Sequence, residues 1–185
     1  MFVDFFFFVN FGLRCAHVVC VMYAVMMNKL MEEGVLDPSD PVTKFYNDQH
    51  PPAFKPVNPY DSTKGADAVT LESLAGQTSG LMREAPCLLN DDCPESDIIN
   101  RSNNIPLFHQ PLTRPHYSNY GFSLLGRCCA RAAQEKYQNN ATYEEWVEHN
   151  ILEAMGMTNS GFDYTDEIIS RMAVGCLLYE YYVLF

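Results

Sequence analysis

A chain of 185 residues, 48% of them hydrophobic, is long enough for one domain with a sizeable core, because a domain of this size buries about 70% of the surface that its unfolded chain exposes. Its formal net charge of -11, with 12 Lys and Arg scattered against 23 Asp and Glu, excludes a nucleic-acid partner, since phosphate backbones are held by clustered cations. The 7 cysteines cannot all pair with one another and show no repeated metal-ligand spacing, which argues against a disulfide framework and against a zinc module.

Residues 1–27 are apolar, broken by Asp4, Asn10, Arg14 and His17, with an aromatic run from Phe5 to Phe8. Three readings stay open. A signal peptide wants a basic start and a small-residue cleavage site, whereas the early charge here is Asp4. A membrane span wants about 20 apolar residues, and Arg14 and His17 fall near its middle. The third reading is mis-spliced sequence, a row of Phe codons being a pyrimidine tract like that before a splice acceptor. Cys15, His17 and Cys20 are not expected to bind a metal, because structural zinc sites are closed by four ligands.

From Val21 to Glu33 the spacing of Val21, Val25, Met26, Leu30 and Met31 predicts a helix with those side chains on its buried face, stopped by Gly34. Pro38 and Pro41 place a turn after it, and residues 47–67 read as an irregular surface connection. Thr70 is a predicted N-cap for a short helix packed through Leu71 and Leu74, ending at Gly76 or Gly80, with Leu81 as a further packing residue. Ser79 then belongs to a turn rather than to a nucleophilic site. Residues 82–115 carry prolines, Asn and Asp without periodicity and read as one long loop. Within it Cys87 and Cys93 bracket a polar stretch and could close a small ring in a secreted protein. Asn100 and Asn140 open sequons, the expected glycosylation sites in that compartment. His109 and His116 are expected at the surface.

Ser118 or Asn119 caps a predicted helix over Tyr120–Tyr137, with Leu124, Leu125, Cys128 and Ala132 as its buried stripe. Cys128 and Cys129 are expected to be small core residues rather than reactive thiols. Thr142 opens a last predicted helix, Tyr143–Met155, with Glu144 and Glu145 in its first turn, Trp146, Ile151 and Met155 buried, and Gly156 as its stop. Residues 176–185 form an apolar tail.

Four segments in order carry a resemblance: Asn28–Leu36 running on to Asp40-Pro41-Val42, Thr70–Leu81, Tyr117–Gly126 and Ile151–Thr158. Together they resemble the serine β-lactamase and penicillin-binding-protein-like family, particularly its β-lactamase-like branch in animals, over roughly residues 28–175. Gln77 stands where that family usually has His before Thr-Ser-Gly. The resemblance implies an α+β, β-lactamase/transpeptidase-like fold, of which this chain carries mainly the helical subdomain with an incomplete sheet. Residues 1–27 and 176–185 lie outside it.

The resemblance also implies acyl-enzyme hydrolysis of an amide, ester or lactam in a small-molecule or peptide substrate, with no cofactor. The family's nucleophile and base are Ser and Lys of a Ser-x-x-Lys pair, one turn apart on one helix face. Tyr117-Ser118-Asn119 matches the family's Tyr-x-Asn motif, which makes Tyr117 the expected proton-transfer group and Asn119 the expected substrate-binding residue. Counting back from Glu32-Glu33-Gly34, the nucleophile position holds His17 and the lysine position Cys20. No serine of the chain has a lysine three residues later, and Lys64-Gly65 lies too early to be the late Lys-Thr-Gly strand. The expectation is therefore an inactive chain that is secreted or membrane-associated, with a non-catalytic binding protein as the alternative.

Overall fold

The computed structural model describes residues 6–9, 11–14, 16–87, 93–163 and 166–171, with side chains described from Val21 onward except those of 167, 168 and 171. Residues 22–143 form one compact unit, and residues on either side of it form a second. The predicted tail at 176–185, Cys15 and the centre of the 87–93 stretch lie outside the described residues.

The first unit is built around a long helix. Helix α1 runs Ala16–Glu32, helix α2 Leu71–Ala75, helix α3 Glu95–Ser102 and helix α4 Asn119–Tyr137. In α4 the predicted stripe is buried: Leu124, Leu125 and Cys128 are at 0–1% exposure and Ala132 at 5%. Apolar residues recurring at three- and four-residue steps turn one side of the helix inward. Cys129 is buried with them, and burial pushes its thiol up to about 12. Both cysteines are core residues.

Helix α1 differs from expectation in its face. Its buried residues are Met22, Tyr23, Met26, Met27 and Leu30, while Val21 and Val25 are 56% and 39% exposed. The reason lies on α4. Gly126 leaves a hollow in which a Cβ would stand 2.0 Å from the Tyr23 ring, so the tyrosine fixes the rotation of α1. The helix stops as predicted: Gly34 has φ of 69°, and Val35 N donates to Leu30 O at 2.9 Å in a Schellman turn.

Helix α2 is capped by Thr70, whose hydroxyl and that of Ser73 exchange hydrogen bonds with each other's backbone N–H. Helix α3 lies in the stretch predicted as loop, and corrects it. Its eight residues are too few to show periodicity, and Pro94 supplies no capping side chain. It forms because Glu95 and Asp97 face the positive end of the helix dipole and because Ile98 and Ile99 are buried. Arg127 and Arg131 of α4 reach Glu95 at 3.3 and 3.5 Å, and Arg131 also lies 3.9 Å over the Tyr46 ring and donates to Phe45 O. This knot ties residues 45–51 and α3 to the central helix. Residues 47–64 are irregular as predicted, although Phe54 within them is fully buried, while Gly65–Ala68 form a short 3-10 helix that the prediction missed. Cys87 and Cys93 form a disulfide.

In the second unit, strands β1 (Phe6–Val9) and β2 (Phe11–Arg14) pair antiparallel, Phe6 opposite Arg14. Helix α5 (Tyr143–Val147) passes into a π turn, Glu148–Leu152, and helix α6 covers Asp166–Arg171. Trp146 and Ile151 are buried, but Met155, expected beside them, is 69% exposed. The wider π turn rotates the following residues off the face that an unbroken α-helix would have kept. Among the described residues the strands are β1 and β2, an isolated bridge joins Pro41 to Thr70, and most of the remaining regular structure is helical. Among the same residues no helix is long and apolar enough to cross a membrane.

Candidate active site

The start of α4 is held on a strap, residues 77–83, that follows α2. Ser118 is 1% exposed and its hydroxyl works in two directions: it accepts from Gly121 N at 2.8 Å, capping α4, and donates to Met82 O at 2.6 Å. Tyr120 N donates to Arg83 O at 3.2 Å, which satisfies another free amide of the first turn. Farther along the strap, Leu112 N donates to Thr78 O and Phe108 N to Gly80 O. With His116 N donating to Gln77 O, three backbone hydrogen bonds lace the loop that precedes Tyr117 to the strap.

With Ser118 turned inward, its two neighbours face outward. Tyr117 is 43% exposed, and its phenol donates to Asn119 Oδ1 at 2.6 Å. The Asn119 amide donates in turn to both carboxylate oxygens of Glu84, at 2.9 and 3.1 Å. Arg83 lies 5.2 Å over the Tyr117 ring and pairs with Glu84 at 3.3 Å. The result is a directed relay in which a phenolic proton points to an amide that points to a carboxylate. A cation standing on the ring face favours the electron-rich aromatic.

The fold has counterparts. A family model described as Beta-lactamase matches residues 21–175. The chain belongs to the beta-lactamase family. Two relatives from Dictyostelium discoideum, beta-lactamase-like protein 4 and beta-lactamase-like protein 2, are 35% and 33% identical over 88% and 91% of this chain. The chain spans only 28% and 29% of their lengths. A solved beta-lactamase/D-alanine carboxypeptidase from Yersinia pestis superposes with a TM-score of 0.69 at 25% identity, covering 86% of this chain and 43% of that one. A class C beta-lactamase gives 0.65 at 19% identity over 85% of this chain and 38% of its own, a likeness of fold.

For a beta-lactamase-family chain, the structure brings Tyr117 and Asn119 into direct contact, as two residues of one motif on either side of a buried cap. His17 and Cys20 lie in the first turns of α1, with their side chains outside the described residues. His109 is not at the surface as expected. It is 4% exposed, because the loop folds under its own backbone against Gly80, and His116 is half-buried 5.7 Å from it. Ser79 is a buried turn residue whose hydroxyl accepts from Leu81 N at 3.3 Å. Asn100 and Asn140 are both exposed, Asn100 on α3 and Asn140 beyond the end of α4. Sequence reasoning did not single out Arg83 or Glu84, which sit in a stretch without periodicity. In the sequence Gln77 stands out only as a departure from the family's histidine.

Proposed function

We propose that this chain supplies the tyrosine side of a beta-lactamase-type acyl-transfer site, for amide, ester or lactam substrates, and that these 185 residues turn over no substrate. The reading rests on the contact between Tyr117 and Asn119, built by the Ser118 cap at the start of α4. Its counterpart in the sequence is His17-Val18-Val19-Cys20, where a Ser-x-x-Lys pair would stand. With serine and lysine both replaced at those positions, that pair's activated alkoxide has no source there. Within the full fold this chain is the helical half of an α+β domain.

Purified chain incubated with a chromogenic cephalosporin and with p-nitrophenyl esters is expected to match a heat-treated control. Turnover above that control, removed by Tyr117→Phe, would overturn the reading. The second reading is a non-catalytic binding protein, in which a ligand would displace Glu84 from the Asn119 amide that it now holds with both oxygens. Calorimetric binding of a β-lactam with no turnover would select it.

We propose in addition that the chain matures along an oxidising secretory route and carries N-glycans. The Cys87–Cys93 disulfide and the exposure of both sequon asparagines support this. Full chain expressed in eukaryotic cells is expected to lose mass on peptide-N-glycosidase treatment, with part of the loss removed by Asn140→Gln. Unchanged mobility together with free Cys87 and Cys93 thiols would reject this route.

A further inference from the structure

Gln77 holds the motif in a way that its place at the end of a helix does not require. It occupies the position after the Gly76 cap of α2, where the chain turns left-handed, with φ of 56°. The turn closes as a Schellman motif: Gln77 N donates to Leu74 O at 3.1 Å and Thr78 N to Ser73 O at 2.8 Å. Glycine is the residue that such a position favours, because a Cβ is crowded there. A glutamine at this spot is locally unfavourable, so what its side chain does elsewhere is informative.

Its carboxamide pairs with the backbone of the residue between Tyr117 and Asn119. Oε1 accepts from Ser118 N at 2.6 Å, and Nε2 donates to Ser118 O at 3.3 Å. The backbone carbonyl of Gln77 also accepts from His116 N at 2.7 Å. A primary amide carries an acceptor and a donor side by side, as a peptide group does, and can therefore satisfy both backbone groups of one residue. A carboxylate would keep the first bond and set two oxygens against each other at the second. Imidazole nitrogens diverge and would serve one of the two.

We propose that Gln77 is a positioning residue: its carboxamide sets the backbone of Ser118, and through it the contact between the Tyr117 phenol and Asn119. The inference rests on the reading of Tyr117 as the family's tyrosine, and it names the residue that fixes that group's orientation.

The test places 3-fluorotyrosine at position 117 of the full chain and reads its fluorine resonance by NMR. Gln77→Gly is the informative variant, because it removes the carboxamide while relaxing the left-handed turn. Its melting temperature is expected to stay close to that of the parent, while the resonance moves most of the way to its value in denaturant. Gln77→Glu, retaining one of the two bonds, is expected to fall between the two. Gly34→Ala lowers stability at a distant left-handed turn and is expected to leave the resonance in place. An unmoved resonance in both Gln77 variants would show that the residue only stabilises the turn and would overturn the proposal, as would an equal movement in Gly34→Ala. The readout needs no substrate, so failure of the chain to bind a lactam leaves it intact, and an unmoved resonance leaves the acyl-transfer reading standing.

Discussion

Gly80→Ala is expected to lower unfolding free energy by about 3 kcal/mol, the sum of a left-handed backbone and an overpacked contact. Gly80 has φ of 75°, and a Cβ built there would stand 2.3 Å from the carbonyl oxygen of His109. The clash is with backbone, which cannot rotate away as a long side chain can. His109 is itself buried, and Phe108 N donates to Gly80 O at 2.8 Å, so the loop can move only by breaking the lacing that leads to Tyr117. Gly34→Ala provides the contrast. Gly34 has φ of 69° but nothing within 4 Å of the added carbon, and its cost is the backbone part alone, about 1 kcal/mol. Urea titrations of the two variants should show midpoint shifts in that ratio at unchanged slope. Equal shifts would mean that the loop and the strap are not in contact in solution.

Ser118→Ala is the second large effect, expected at about 2 kcal/mol from the lost cap and an unsatisfied carbonyl. The hydroxyl that caps α4 through Gly121 N is the same one that donates to Met82 O. Removing it frees an amide and a carbonyl in a place that water does not reach, since Ser118 is 1% exposed. The residue between Tyr117 and Asn119 is thus not a spacer. Thermal melts should show the loss, and a change within experimental error would mean that α4 starts without this cap.

Much of this fold is legible in the chain because it is local. Thr70, Ser118 and Gly34 are punctuation that a helix end needs within a few residues, and the structure uses each of them as the sequence suggests. The buried side of α4 follows from apolar spacing alone. The face of α1 does not, because it is decided by a glycine on another helix, and counting valines and methionines leaves out Tyr23. Helix α3 is too short for periodicity, and Met155 is displaced by a π turn for which no pattern in the sequence gives warning.

The site divides in the same way. Tyr117 and Asn119 are visible as a motif, two positions apart. Glu84 and Gln77 are not, because they meet the motif across separations of 35 and 41 residues. A departure from a family pattern at Gln77 looks tolerable when only residue types are compared. It gains a meaning once its carboxamide is seen against the Ser118 backbone.

The most direct test of the central claim, a tyrosine-side site without a nucleophile, is the intact mass of the full chain after incubation with a β-lactam. Acyl-enzyme formation adds the whole ring-opened lactam to the nucleophile, so a covalent step is read without waiting for turnover. The expected result is the unmodified mass at every time point. A stoichiometric adduct of the mass of the lactam, lost in Tyr117→Phe, would contradict it and place a working nucleophile within these residues.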